Sequence, residues 1–212
     1  MNDVAGYWQQ SRQAVRQKVV ETGMRLFVKQ GFDATTTMQI AEEVGISSRS
    51  FFRYFASKED VVLGHLAPQG EVVASALAAQ PADDPPWDAL RAAFETLRRL
   101  PDYNDEHQLV LTKMIYGTPT LRARYMDKRM DWMTLLAPEI AVRLRTAGGV
   151  PEGDLELVAR AIVGTALTCL SLAAEAWAAQ DGRVDIGVLY DTAIAAVRDK
   201  GSARTARRRP PR

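Results

Sequence analysis

The chain has 212 residues, 47% of them hydrophobic and 25% charged, and 27 Lys+Arg against 26 Asp+Glu leave a formal charge of +1. That composition supports one or two domains with a real core and excludes disordered and collagen-like classes. A single cysteine, Cys169, excludes an internal disulfide and a cysteine metal cluster, and its apolar context reads as a small buried hydrophobe.

The longest apolar stretch, 161–174, is interrupted by Gly164, Thr165, Thr168 and Ser171, and reads as too short and too polar to cross a bilayer. The first residues lack the basic stretch and apolar run of a secretory signal, so a cytoplasmic protein without a membrane partner is expected.

Dense helical punctuation, without runs that alternate at period two, predicts an all-α fold of about nine helices. A first helix over 11–30 carries Val15, Val19, Thr22, Gly23, Leu26 and Phe27 on one face, and Gly31 stops it. Thr36 and Gln39 form a capping box for a short helix with Ile40, Ala41 and Val44 on its apolar side, ended by Gly45. Ser47 caps a third helix through Phe55. Ser57 caps a fourth, expected to run unbroken to about Ala79, with Glu59 and Asp60 favoured in its first turn by the helix dipole.

Three prolines in 80–86 make that stretch a linker. Helices follow from Trp87, from about Asp102 to Tyr116, and from Pro119 to about Arg145, the last kinked or divided at Pro138. Gly148 and Gly149 mark a turn; Pro151 opens a long helix to about Gln180, and Asp185 caps a last one to about Lys200. Residues 201–212 are basic and nearly devoid of apolar side chains, which predicts a disordered tail. The expected domains are 1–56, then 57–200 with helix 57–79 as connector, then the tail.

The informative stretch is 35–58. Two short helices joined by Val44-Gly45-Ile46-Ser47 have the dimensions of a helix-turn-helix, whose second helix enters the DNA major groove. Ala41 is small where the helices cross, Gly45 permits the sharp turn, and Ile40, Val44, Ile46, Phe51 and Phe55 supply a shared core. Arg49 and Arg53, four apart, point away from that core, and Arg53 is placed to read guanine or hold a phosphate. A plain helical hairpin would also need a glycine turn; the consistent spacing of caps, turn and outward arginines favours the DNA reader.

Thr36-Thr37, Ile40-Ala41, Gly45-Ile46-Ser47, Phe51 to Phe55 and Ser57-Lys58 resemble the TetR family of bacterial one-component regulators, closely over about the first 65 residues. The resemblance implies a protomer of nine or ten helices, the first three binding DNA, the fourth linking, the rest binding a ligand and dimerising. It implies a phosphate contact by Thr37, base reading by Ser48, Arg49 and Ser50, and backbone contacts by Tyr54 and Lys58. Phe52 stands where the family usually has tyrosine; it reads as packing, with Tyr54 supplying the missing hydroxyl.

Ala159, Ala161, Gly164, Ala166, Ala173 and Ala174 suit either close packing within one chain or a homodimer through the helices at 151–180 and 185–200, and the family resemblance favours the dimer. Phe94, His107, Leu111, Met114, Tyr125, Met126, Arg129, Met130, Trp132 and Met133 are candidates for an adaptable apolar pocket holding a small-molecule effector. Residues 109–145 and 161–177 are also similar to a subgroup that binds acyl-CoA-like ligands.

Two histidines in no metal spacing, and no phosphate loop or nucleophile elbow, argue against an enzyme, a metal or a cofactor. The expectation is a repressor that binds double-stranded palindromic operator DNA as a homodimer and is released by a lipophilic effector. Alternatives are a regulator controlled by a protein partner and an all-α enzyme or carrier. Charge is uneven: +1 over 1–60, −6 over 61–197 and +6 over 198–212, so neutrality is an average and DNA affinity must come from a few placed contacts.

Overall fold

A computed structural model describes the backbone of residues 2–101 and 103–206 and the side chains of residues 10–101 and 103–198. Among the described residues the chain is helical without strands: α1 (Asn2–Gln30), α2 (Thr37–Val44), α3 (Ser48–Tyr54), α4 (Lys58–Leu63), α5 (Leu66–Ala78), α6 (Pro86–Glu95), α7 (Asp105–Gly117), α8 (Pro119–Ala147), α9 (Leu155–Ala179) and α10 (Ile186–Ala206). Counting the α4–α5 stretch as one gives the expected nine. The chain forms two compact units, 1–65 and 66–212.

In the first unit the local signals act as expected. Thr36 and Gln39 close the capping box, with the Gln39 amide donating to Thr36 Oγ1 at 3.2 Å and the Thr36 amide donating to Gln39 Oε1 at 2.9 Å. Gly45 takes φ +83°, a conformation costly for any residue with a Cβ, and the Ile46 amide then reaches back to the Ala41 carbonyl at 2.9 Å. Around this turn Val19, Phe27, Ile40, Ala41, Phe51, Phe55, Val61 and Leu63 are buried. Helix α1 starts at Asn2 and not near Ser11.

The unbroken helix expected over 57–79 is two helices, α4 and α5, separated at Gly64 and His65. Pro68 supplies the reason. It lies in the first turn of α5, where a missing N–H costs nothing; inside one continuous helix its ring would meet the Gly64 carbonyl and a hydrogen bond would be lost.

In the second unit α8 and α9 are central: α9 packs on α8 and α10, α5 on α8 and α6, and α7 on α8 and α9. The core joins Val73 and Leu77 of α5, Leu90 and Phe94 of α6, Trp132, Leu136 and Ile140 of α8, and Val163 and Leu167 of α9 with Tyr190 and Ile194 of α10. Trp132 donates its Nε1–H to the Leu66 carbonyl at 3.0 Å, and a Cβ on Gly70 would come within 2.7 Å of the same nitrogen, so only glycine lets α5 approach that ring. Pro138 does not divide α8; it and Thr134, whose carbonyl it leaves without a partner, are on the exposed side, where water can satisfy the carbonyl.

Asn104 caps α7 through the His107 amide at 2.9 Å, and Asp185 caps α10 through the amides of Gly187 at 2.8 Å and Val188 at 3.3 Å. The final helix continues to Ala206, past the expected end near Lys200 and through Gly201; residues 207–212 of the expected tail lie outside the described residues.

The reading of the apolar stretches is also corrected. Residues 58–78 and 152–179 are long and apolar enough, by length and composition, to cross a membrane. The first is broken at Gly64 and His65, and the second buries its apolar face on α8 and α10, as the core helix of a bundle does.

Candidate nucleic-acid interface

Helix α3 begins where Ser47 Oγ accepts the Ser50 amide at 3.1 Å, a cap that fixes the rotation of a very short helix. Phe51 is fully buried and Phe55 nearly so, which turns Ser48, Arg49, Phe52 and Arg53 outward together. Arg49 makes no hydrogen bond or ion pair among the described residues. Arg53 leans on its neighbour, with its guanidinium 5.2 Å from the Tyr54 ring centroid and Nη2 3.4 Å from the Tyr54 hydroxyl. Thr37, the first residue of α2, is half-buried. Ser50 is half-buried too, and its hydroxyl accepts from Ser47 Oγ at 3.0 Å, so it serves the cap.

Two expectations change. Lys58 does not extend a free ammonium: Nζ donates to the carbonyls of Phe32 at 2.8 Å, Thr35 at 3.0 Å and Asp33 at 3.3 Å, and sits 4.4 Å from the Phe32 ring centroid. A lysine has three donors, and all are held by the turn between α1 and α2. Phe52 is not a packing residue; it is 54% exposed and meets Phe51 only edge-on at 5.5 Å, on the same face as the two arginines.

Other cations that hold this unit together were not visible in sequence spacing. Arg16 donates to the Tyr54 carbonyl at 2.8 Å and lies over the Phe55 ring, Lys18 reaches the Val44 carbonyl at 3.3 Å, and Arg25 pairs with Glu43 at 2.6 Å. Two of these place positive charge on the C-terminal carbonyls of α2 and α3, where the helix dipole favours it.

The effector candidates of the second unit divide by helix phase. On α8 the buried face runs Tyr125, Arg129, Trp132 and Leu136, while Met126 and Met133 flank it half-buried and Met130 is 56% exposed. Phe94 and Leu111 are buried and Met114 half-buried. His107 and Met130 are therefore corrected to the surface: His107 belongs to the exposed first turn of α7, and Met130 is one helical step from the buried face. A groove of about 610 Å³ between α6 and α10, lined by Trp87, Asp88, Arg91, Tyr190, Ile194 and Val197, involves none of the expected ligand residues.

Arg143 shows what a structural buried arginine does here. It donates to the carbonyls of Leu77 at 2.7 Å, Gln80 at 3.0 Å and Pro81, and pairs with Glu139 at 3.4 Å, closing the C-terminal end of α5. Of the small residues of α9, Ala159, Ala166 and Ala173 are buried within the unit and Ala161 is exposed beside Leu157 and Leu172. Thr165 and Thr168 donate their hydroxyls to carbonyls one turn back, at 2.7 and 2.8 Å, which leaves methyl groups on that outer surface.

Comparison with known proteins follows this division. Residues 19–64 match the family of bacterial regulatory proteins described as tetR, and residues 84–201 match the MftR C-terminal domain. The chain is 33% identical to the transcriptional regulator TcmR of Streptomyces glaucescens over 144 residues, 65% of this chain and 64% of TcmR. It is 34% identical to the uncharacterised regulator YerO of Bacillus subtilis over 156 residues, 70% of this chain and 53% of YerO. It thus spans less than two thirds of either relative. The solved structure of Thermus thermophilus FadR, a TetR family repressor in complex with lauroyl-CoA, superposes with a TM-score of 0.51 at 26% identity, covering 84% of this chain and 91% of that one. The chain belongs to the TetR family of helix-turn-helix transcriptional regulators.

Proposed function

We propose that the protein is a cytoplasmic repressor that binds a palindromic operator as a homodimer and is released by a small molecule held in the second unit. The observation that carries the DNA reading is the face of α3: Arg49 and Arg53 stand one turn apart and outward, while the buried Phe51 fixes the helix behind them. Ser48 and Arg49 then read base edges, Arg53 and Thr37 hold phosphates, and Tyr54 supports Arg53. Residues 1–56 act as the reading head, 57–79 as the connector and 57–200 as the sensing and dimerising part.

The exposed Leu157, Ala161, Thr168 and Leu172 of α9, with Val188 of α10, support a dimer through those two helices. Two reading heads about 34 Å apart would enter successive major grooves. An effector that favours a state with the heads at another spacing lowers operator affinity by the ratio of its affinities for the two states. The presence of lauroyl-CoA in the related FadR supports a lipophilic effector.

The test is selection of an operator from random duplexes, followed by anisotropy titration. Arg49→Ala is expected to weaken the selected site by about 1–3 kcal/mol and to relax base preference at one position of each half-site. Equal affinity of wild type for all duplexes would overturn the reading.

A further inference from the structure

Among the described residues two arginines are buried, Arg143 and Arg129. Arg143 is held by carbonyls through both terminal nitrogens, with only its Nε unpartnered. Arg129 is not: Nε and Nη2 are both buried without a hydrogen-bond partner. Its guanidinium lies over the rings of Trp132, 4.5 Å away, and Tyr125, 5.6 Å away. Those contacts engage the π-system and leave the in-plane N–H donors free. Nε–H and one Nη2–H point the same way along one edge of the guanidinium, and this parallel pair is what a carboxylate accepts in a two-point contact.

The Tyr190 hydroxyl of α10 is also buried without a partner, but its ring has Phe94 edge-on at 5.8 Å and the Arg91 guanidinium 5.9 Å from its centroid and lines the groove between α6 and α10, so it belongs to that groove. The hydroxyl of Tyr116 is given to the Ser171 carbonyl at 2.8 Å, so the guanidinium edge of Arg129 is the free donor pair here.

We propose that Arg129 anchors the carboxylate of an organic acid whose apolar body lies against Trp132 and Tyr125, the rings beside the guanidinium. This rests on the reading that the second unit senses a small molecule. One uncompensated guanidinium balances a single negative charge; a phosphate ester would need further cations, and Arg143 is already committed to α5. Rings over the guanidinium exclude water from its faces, which strengthens a charge-assisted contact at its edge.

The experiment measures thermal shift and calorimetric binding on the full chain, with sodium decanoate and sodium 2-naphthoate as probes, each against its primary amide. Wild type is expected to bind at least one carboxylate about tenfold or more tighter than its amide. Arg129→Met is expected to lose that preference, and Arg129→Lys to retain part of it, because an ammonium keeps the charge without the fork. Arg129→Met is also expected to melt higher than wild type without ligand, since a buried charge awaiting its counter-ion is replaced by an apolar chain of similar length. Equal binding of acid and amide, an undiminished preference in Arg129→Met, no carboxylate binding by wild type, or a lower melting temperature for Arg129→Met would each overturn the proposal and leave a hydrated structural arginine. Operator binding by Arg129→Met is followed alongside: failure of wild type to bind DNA sinks the repressor reading alone, whereas retained DNA binding with no release by the acid isolates the loss to this anchor.

Discussion

Lys58 places its ammonium 4.4 Å from the centroid of the Phe32 ring and donates to the carbonyl of the same residue at 2.8 Å, so the first residue of α4 fastens the turn that leads into α2. Lys58→Met keeps the aliphatic stem and removes the charge. It is expected to lower stability by about 2 kcal/mol through lost carbonyl contacts, read as the shift in urea midpoint. Operator affinity should fall only with the folded fraction. Unchanged stability with a shallower salt dependence would instead return Lys58 to the phosphate contacts.

Arg53 and Phe52 share the outward face of α3 but should fail differently. Arg53→Ala is expected to weaken all duplexes alike and reduce the salt slope by about one, as for a lost phosphate contact. Phe52→Ala carries no charge, so its loss, about 1 kcal/mol, should leave that slope intact and fall mainly on sites offering a thymine methyl. Anisotropy titrations at four salt concentrations separate the two.

Arg143 ties three carbonyls at the end of α5 to α8. Arg143→Met preserves most of the volume and strands those acceptors, at an expected cost of about 3 kcal/mol. A wild-type denaturation midpoint would show that water replaces the guanidinium without penalty.

Asp185 combines a local cap with a distant ion pair, to Arg98 at 2.6 Å, and that hydrogen bond is the main reason its carboxyl titrates below its usual value. A depressed folded pKa means that the stabilisation is complete above the unfolded carboxylate value of about 3.9 and fades as pH falls through the folded value. Asp185→Asn keeps an acceptor for the Gly187 amide and loses the charge. Its melting temperature is expected to lie below that of wild type at pH 7 and to converge with it in strong acid; a gap independent of pH would assign the whole effect to the cap.

The same residue marks the boundary of what could be read in advance. Caps at Thr36, Ser47, Ser57 and Asp185, and the turn at Gly45, were legible because each is settled within four residues, by an oxygen that reaches a free amide or by a glycine that accepts positive φ. The outward face of α3 followed from them, since buried Phe51 and Phe55 leave Arg49 and Arg53 one direction to take. The break between α4 and α5 was also written locally, in Pro68, but an apolar run on both sides masked it.

What the amino-acid order alone determined is therefore the fold class, most of the helix caps and the outward face of α3, all consequences of short-range hydrogen bonding and helical period. Only the tertiary structure decided the use of the long cations. Lys58 reaches back 26 residues, Arg143 reaches back 62 to 66, and Arg129 reaches no hydrogen-bond partner at Nε or Nη2 among the described residues. A flexible side chain with several donors has no preferred partner in sequence; the packing of other helices determines whether it ends as a cap, a clamp or an open site.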